Sequence, residues 1–162
     1  MSAKIIIVDE DDQIIGHKNR DEITSGDIYR SSSLWIINRQ GEILLAQRAL
    51  SKDHGPGMWG PAVEGTIERG ETYESNMIKE TGEELGLLNV KPIEKDKIRV
   101  AGKWNHFCQR FLLVLDRNAK DFAIDKAEVE QVRWFSKEEL SAKMKENPRM
   151  FVASMEPFPD FV

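Results

Sequence analysis

Between residues 51 and 71 the chain carries Gly55, Gly57, Gly60, Gly65 and Gly70 together with Pro56 and Pro61. A glycine inside a helix costs about 1 kcal/mol and a proline about 3 kcal/mol, so this stretch has to be loop and short strand. Directly after it the composition turns helical. Tyr73, Met77, Thr81 and Leu85 recur at every fourth position, and Gly86 is placed to stop the helix. The spacing predicts a helix over residues 72–85 that is fed by a glycine-rich loop and buries one side.

The rest of the chain reads mainly as short strands. Lys4–Val8 and Ile14–His17 flank the acidic turn Asp9–Gln13 and predict an N-terminal hairpin. Leu34–Ile37 and Glu42–Arg48 repeat the pattern, with Gly41 supplying the positive φ a tight turn needs. Residues 90–100, 107–115 and 129–135 are further strand segments rich in β-branched and aromatic side chains. Ser136-Lys137-Glu138-Glu139 has the spacing of a capping box and opens a second helix that runs to about Lys145 and stops before Pro148. The tail beyond Met150 holds Phe151, Phe158 and Phe161, which predicts that it packs on the domain. Many strands with two helices imply an α/β fold, a mixed sheet packed between helices.

The 162 residues, without a low-complexity linker or internal repeat, suit one domain. A net charge of −5 gives no broad attraction to long nucleic acid or to an anionic membrane. The clean apolar runs Ile5–Val8 and Phe111–Leu115 are far shorter than the roughly 20 residues that span a bilayer, and the first is too short for a secretory signal. With Cys108 as its one cysteine the chain forms no internal disulfide and no cysteine-rich zinc site. That fits a reducing, cytoplasmic setting.

The chemistry concentrates on the first helix. Glu80, Glu83 and Glu84 stand at i, i+3 and i+4 and share an arc of about 100° beside the buried row. By themselves they also describe a solvated acidic face. Like charges at this spacing repel unless a cation sits between them, and a hard divalent cation such as Mg²⁺ or Mn²⁺ prefers carboxylate oxygens while leaving positions for water and phosphate.

The wider spacing resembles the Nudix hydrolase family, whose box is written G-x5-E-x7-R-E-U-x-E-E-x-G-U with U aliphatic. Gly65, Glu71, Glu80, Glu83, Glu84, Gly86 and Leu87 match in register, seven of nine fixed positions. Lys79 stands in place of the arginine, which keeps the charge but loses the planar fork, and Thr81 stands in place of an aliphatic residue. The lead-in Gly57-Met58-Trp59-Gly60-Pro61, the hairpin from Ser33 to Arg48 and the late Val132-Arg133-Trp134-Phe135 extend the likeness over about residues 30–145. It implies a Nudix-type α/β/α sandwich around a mixed sheet, divided into an N-terminal hairpin extension (1–29), a core (30–145) and a C-terminal tail (146–162).

Within that family, Val8-Asp9-Glu10, Ile15-Gly16, Arg20, Tyr29-Arg30 and Lys52 near Gly57 and Trp59 are similar to the isopentenyl diphosphate isomerase-like branch. The true isomerases carry a catalytic cysteine just before the first box glycine, a histidine just after it and another histidine before an arginine upstream. Here those positions hold Glu64, Thr66 and Tyr29, so the isomerase proton-transfer set is missing. Cys108 lies some forty residues further on and is no obvious replacement.

The resemblance implies metal-assisted attack of water on a diphosphate linkage, in a small substrate such as a nucleoside diphosphate joined to another group. Glu80, Glu83 and Glu84 are the expected Mg²⁺ ligands, with Mn²⁺ as a substitute, and Glu80 or Glu83 is the expected general base. Glu128, six residues before Trp134, sits where some relatives place another catalytic acid. Glu64 offers a further carboxylate, and Glu71 is expected to pair with Lys79 or cap the helix. Arg48 and Lys52 follow a strand end and are expected to grip phosphates. Trp104, Asn105, His106 and Phe107 offer stacking or hydrogen bonds to a base but equally suit a core. His17, His54 and His106 lack transition-metal spacing. A homodimer is compatible with this reading, isomerase-like activity is the first alternative, and a non-catalytic binding module, which the intact acids oppose, is the second.

Overall fold

The computed structural model describes residues 3–162 and contains nine strands and two α-helices. The strands are β1 (Lys4–Val8), β2 (Ile14–Asn19), β3 (Ile28–Ile37), β4 (Ile43–Arg48), β5 (Trp59–Pro61), β6 (Val63–Thr66), β7 (Ile93–Val100), β8 (Asn105–Val114) and β9 (Val129–Phe135). Helix α1 spans Tyr73–Leu85 and α2 spans Lys137–Glu146. All nine strands join one mixed sheet. Among the described residues no helix is long and apolar enough to cross a membrane.

The pairing pattern explains where the site lies. On one side β3 runs parallel to β8 along its whole length, from Ile28↔Asn105 to Ile37↔Val114. On the other side it meets three partners in succession: β1 at Ile28 and Tyr29, β6 at Ser31–Leu34, and β4 at Ile36 and Ile37. The expected β3–β4 hairpin is thus paired at only two positions and then opens. β4 turns to β9 along one edge and to β5 along the other. The glycine-rich β5 and β6 fill the wedge between the diverging strands, and Gly60 and Gly65 suit it because it has little room for side chains.

Alternation along the strands feeds two cores. Leu34, Ile36, Leu44 and Phe111 pack with Met77 and Leu85 of α1. Trp35, Ile43, Leu45 and Phe135 face the other way, against Leu140 of α2 and against Phe151 and Met155 of the tail. This is the α/β/α sandwich the sequence implies, and the tail packs as expected, with Phe158 edge-on to Trp35 at 5.8 Å.

Several boundaries differ from expectation. β3 begins at Ile28 rather than Leu34, because Ser31, Ser32 and Ser33 are laddered on both sides despite their polarity. β7 begins at Ile93, after Asn89 at φ 57° and Pro92. The second helix has half of its capping box. Ser136 Oγ accepts from Glu139 N at 3.1 Å, but the Glu139 carboxylate turns to Arg133 at 2.7 Å.

The N-terminal hairpin is joined to the sheet through β1 and fastened by its turn. Asp12, at φ 59° and buried, accepts from Arg30 Nε at 2.7 Å, Lys97 Nζ at 2.6 Å and Tyr73 Oη at 2.9 Å. One carboxylate thereby ties together the turn, β3, α1 and β7.

Candidate functional site

Thr72 caps α1 by accepting from Ser75 N at 3.0 Å, and Gly86 ends it at φ 67°. The box glycine Gly65 has a steric cause. A Cβ there would lie 2.5 Å from Glu80 Cγ and 2.8 Å from Asn76 Oδ1, so only glycine lets β6 approach the helix this closely. Asn76 is buried in the seam. Its Oδ1 accepts from Ser32 Oγ at 2.5 Å, while its Nδ2 donates to Thr66 O at 3.1 Å and to Glu71 Oε2 at 3.0 Å. The polar β3 serine and the buried asparagine satisfy each other, which is how a polar patch survives at the sheet–helix contact.

A cavity of about 810 Å³ opens where the sheet splits, and its wall carries Glu80, Glu83, Glu84, Glu128, Arg48 and Lys52. The structure thus brings all six sequence-nominated site residues to one cleft. Glu71 pairs with Lys79, as expected, and also accepts from Glu68 N at 2.9 Å. Lys79 Nζ lies 3.6 Å from Glu80 Oε1 and 3.8 Å from Glu68 Oε2, so the residue replacing the box arginine serves three acids as a point charge. Lys52 and Glu128, nominated for different tasks, form an ion pair at 2.5 Å. Arg48 Nε donates to His54 O at 2.9 Å, which orients it along the glycine-rich loop.

Glu128 reaches the helix because its loop is tied to the end of α1. Asp125 N donates to Glu84 O at 3.0 Å, and Glu128 N to Asp125 O at 3.0 Å. Gly86 leaves room for this contact, since a Cβ there would meet Ala123 Cβ at 2.7 Å.

The cleft is electrostatically stressed. Burial, then the nearby Glu80 and Glu128 carboxylates, push Glu84 up to about 9, against the pull of Lys52. Burial also raises Glu80; Glu83 and Glu71 add to the shift and Lys79 opposes it. The wall holds eight carboxylates against four Lys or Arg side chains, a surplus of oxygen anions that suits a hard divalent cation. Among the described residues no three acidic, histidine or cysteine side chains are already gathered as a metal shell. The donor set fits Mg²⁺ or Mn²⁺, with Glu80, Glu83 and Glu84 as the carboxylates that share one helix edge.

Sequence reasoning missed Asp125 from the β8–β9 connection and Val152 from the tail as wall residues, and it singled out Arg20, from the turn after β2, for its family likeness without giving it a place in the site. Their distance along the chain from the box hid them. A second cavity of about 430 Å³ shares Arg48, His54 and Glu64 with the first and adds Tyr29, Met58 and Trp104. Trp104 meets His54 edge-on at 5.4 Å, so of the four residues around 104–107 it is the one that faces a cavity. Asn105 instead donates to Ser25 O at 2.8 Å, His106 is buried and stacked on Tyr29 at 4.9 Å, and Phe107 packs by the N-terminal hairpin. Burial pushes Cys108 up to about 12, and its thiol donates to Ser33 Oγ at 3.3 Å inside the sheet, on the wall of neither cavity.

The model of the NUDIX domain matches residues 29–155. An isopentenyl-diphosphate Delta-isomerase of Photobacterium profundum is 26% identical over 169 residues, covering 94% of this chain and 90% of its own. Three other isomerases align over about half of their length. An uncharacterized Nudix hydrolase of Listeria monocytogenes is 26% identical, covering 84% of this chain and 81% of its own. A crystal structure from Deinococcus radiodurans superposes with a TM-score of 0.77 at 21% identity, over 88% of this chain and 89% of that one.

Proposed function

The chain belongs to the NUDIX family, and from that premise we propose that it is a Mg²⁺-dependent hydrolase of a diphosphate linkage in a small, nucleotide-derived substrate. The observation that carries this reading is the crowding of Glu80, Glu83 and Glu84, together with Glu128, on one cleft that also holds Arg48 and Lys52. A carboxylate cluster with two basic side chains opposite is a place for a cation and a polyphosphate together.

Glu80, Glu83 and Glu84 hold the cation. Its contribution is to neutralise phosphate oxygens and to lower the pKa of water. Arg48 and Lys52 take the phosphate oxygens, and an entering phosphate competes for Lys52 and so releases Glu128 from its ion pair. Water forms the new oxygen–phosphorus bond as the anhydride P–O bond breaks, and Glu80, Glu83 or Glu128 accepts the proton. Lys79 keeps Glu71 and Glu80 in place without touching the substrate. A cytoplasmic setting, with no long nucleic acid or membrane as partner, accompanies the proposal.

Isomerase-like activity is the second reading, because relatives bearing that name align along most of the chain. The placement of the single thiol opposes it. Glu64 holds the position before Gly65, and Cys108 is buried away from both cavities.

Product release from nucleoside di- and triphosphates, nucleotide sugars, dinucleotides and isoprenoid diphosphates, with and without Mg²⁺, tests the proposal. Metal-dependent cleavage of at least one is expected, with a loss of about a hundredfold or more in Glu83→Gln or Glu84→Gln, a size in keeping with several kcal/mol of charge stabilisation. Full activity in folded variants would remove the site assignment. Interconversion of isopentenyl and dimethylallyl diphosphate without hydrolysis would select the isomerase reading, and binding without turnover a non-catalytic module.

A further inference from the structure

Glu64, on β6 next to Gly65, lines both cavities, as does Asp53 of the loop after β4. Ser154, buried in the turn Ala153–Met155, donates from Oγ to Glu64 Oε2 at 2.7 Å. Among the described residues Oε1 has no hydrogen-bond partner. The serine is held on a firm base. Val152 N donates to Trp59 O at 2.9 Å, Met155 is fully buried, and the Arg110 guanidinium donates to Pro157 O. One oxygen of Glu64 is therefore fixed by the tail, the other is unpaired, and the residue lines a compartment that also presents Trp104 and Tyr29.

We propose that Glu64 reads a hydrogen-bond donor on the part of the substrate that lies beyond the diphosphate, and that Ser154 is its positioning residue. A half-buried carboxylate with one oxygen satisfied is selective because a ligand without a donor leaves the other oxygen unpaired. Sites built around such a hydrogen bond reject the analogue that lacks it far more strongly than apolar pockets reject a missing methylene. Trp104 and Tyr29 supply flat surfaces for a ring, which places the donor on a nucleoside. The inference rests on the hydrolase reading of the neighbouring cleft for where the diphosphate lies.

The test compares ADP with purine riboside diphosphate and CDP with 2-pyrimidinone riboside diphosphate, pairs in which hydrogen replaces the exocyclic amine and no ring N–H is gained, and ADP with 2′-deoxy-ADP, which lacks a hydroxyl donor. Wild type is expected to prefer the donor-bearing member of at least one pair by tenfold or more in kcat/KM. Glu64→Gln should abolish or invert that ratio, since Ser154 holds the amide oxygen and turns the amide N–H groups toward the cavity. Ser154→Ala should shrink the ratio by about threefold or more, and Ser154→Thr, which keeps the hydroxyl, should restore it. A purely structural role would lower both members of a pair alike. Should none of these nucleotides be cleaved, the hydrolase reading is decided by the wider panel above, and calorimetric affinities for the methylene-bridged analogues of the same pairs supply the ratios. Ratios below tenfold in every pair by whichever measurement applies, or an unchanged ratio in Glu64→Gln, overturn the proposal.

Discussion

Asp12 and Glu84 are both acidic side chains taken largely out of water, and their surroundings treat them in opposite ways. Burial alone would raise Asp12, but hydrogen bonds from Lys97, Arg30 and Tyr73 outweigh it and hold its carboxyl below the ordinary range. At Glu84 burial is joined by the repulsion of Glu80 and Glu128, and Lys52 is the cation set against them. The first carboxylate is neutralised by the fold and holds four elements together. The second is left in want of a positive charge, the condition of a group kept for a ligand.

The widest separation between the two regions should appear in a pair of variants. Glu83→Gln is expected to lose about a hundredfold or more in hydrolysis with an unfolding midpoint near wild type. Asp12→Asn should keep hydrolysis within about twofold but lose about 2–3 kcal/mol of stability in denaturant titration. That figure is discounted from the roughly 3–5 kcal/mol of a broken buried pair because Lys97 is 38% exposed. Asparagine tolerates the positive φ, so the change isolates charge. Because the folded pKa of Asp12 is depressed, its stabilisation is present above the unfolded value of about 3.9 and lost as pH falls below it. The gap between Asp12→Asn and wild type should therefore close in acid; a gap that widened there would break the comparison.

Gly65→Ala sharpens it at the acidic end. The added Cβ must displace Glu80 and Asn76, at a cost of about 1–3 kcal/mol. Hydrolysis should fall about tenfold while the Asp12 tie is untouched, measurable as loss of activity with the acid limb of stability preserved.

The smallest effect concerns Glu84 itself. In metal-free protein its pKa of about 9 lies above the unfolded value of about 4.3, so the folded chain retains a proton that the unfolded chain has lost. This group's contribution to stability falls as pH rises between those two values. Glu84→Gln should gain on wild type by about 1–2 kcal/mol from pH 5 to pH 9 in chelator, which corresponds to a midpoint shift of a few degrees, and adding Mg²⁺ should erase the gain. A variant that lost ground over that range would overturn this account of the cleft.

Periodic features were legible in advance. The row Met77, Thr81, Leu85, the stop at Gly86 and the strand Val129–Phe135 follow from local spacing, and all three stand in the structure. The three glutamates were found because i, i+3 and i+4 must share a face. The opening of the β3–β4 hairpin was hidden, since neither strand's own pattern reveals that β6 and β5 will compete for its inner edges. The Lys52–Glu128 pair was hidden for the same reason: each charge reads alone as a surface residue until two distant loops meet. Ser154 gave no signal, because a serine in a tail without periodicity acquires meaning only from what lies across from it.

The tail's cover over Trp35 has a consequence for biosynthesis. Phe151 and Met155 complete the second core, and these residues leave the ribosome only after every strand of the sheet has been made. Until then a large indole and its aliphatic neighbours lie bare to water, an apolar surface that exposes the unfinished chain to aggregation.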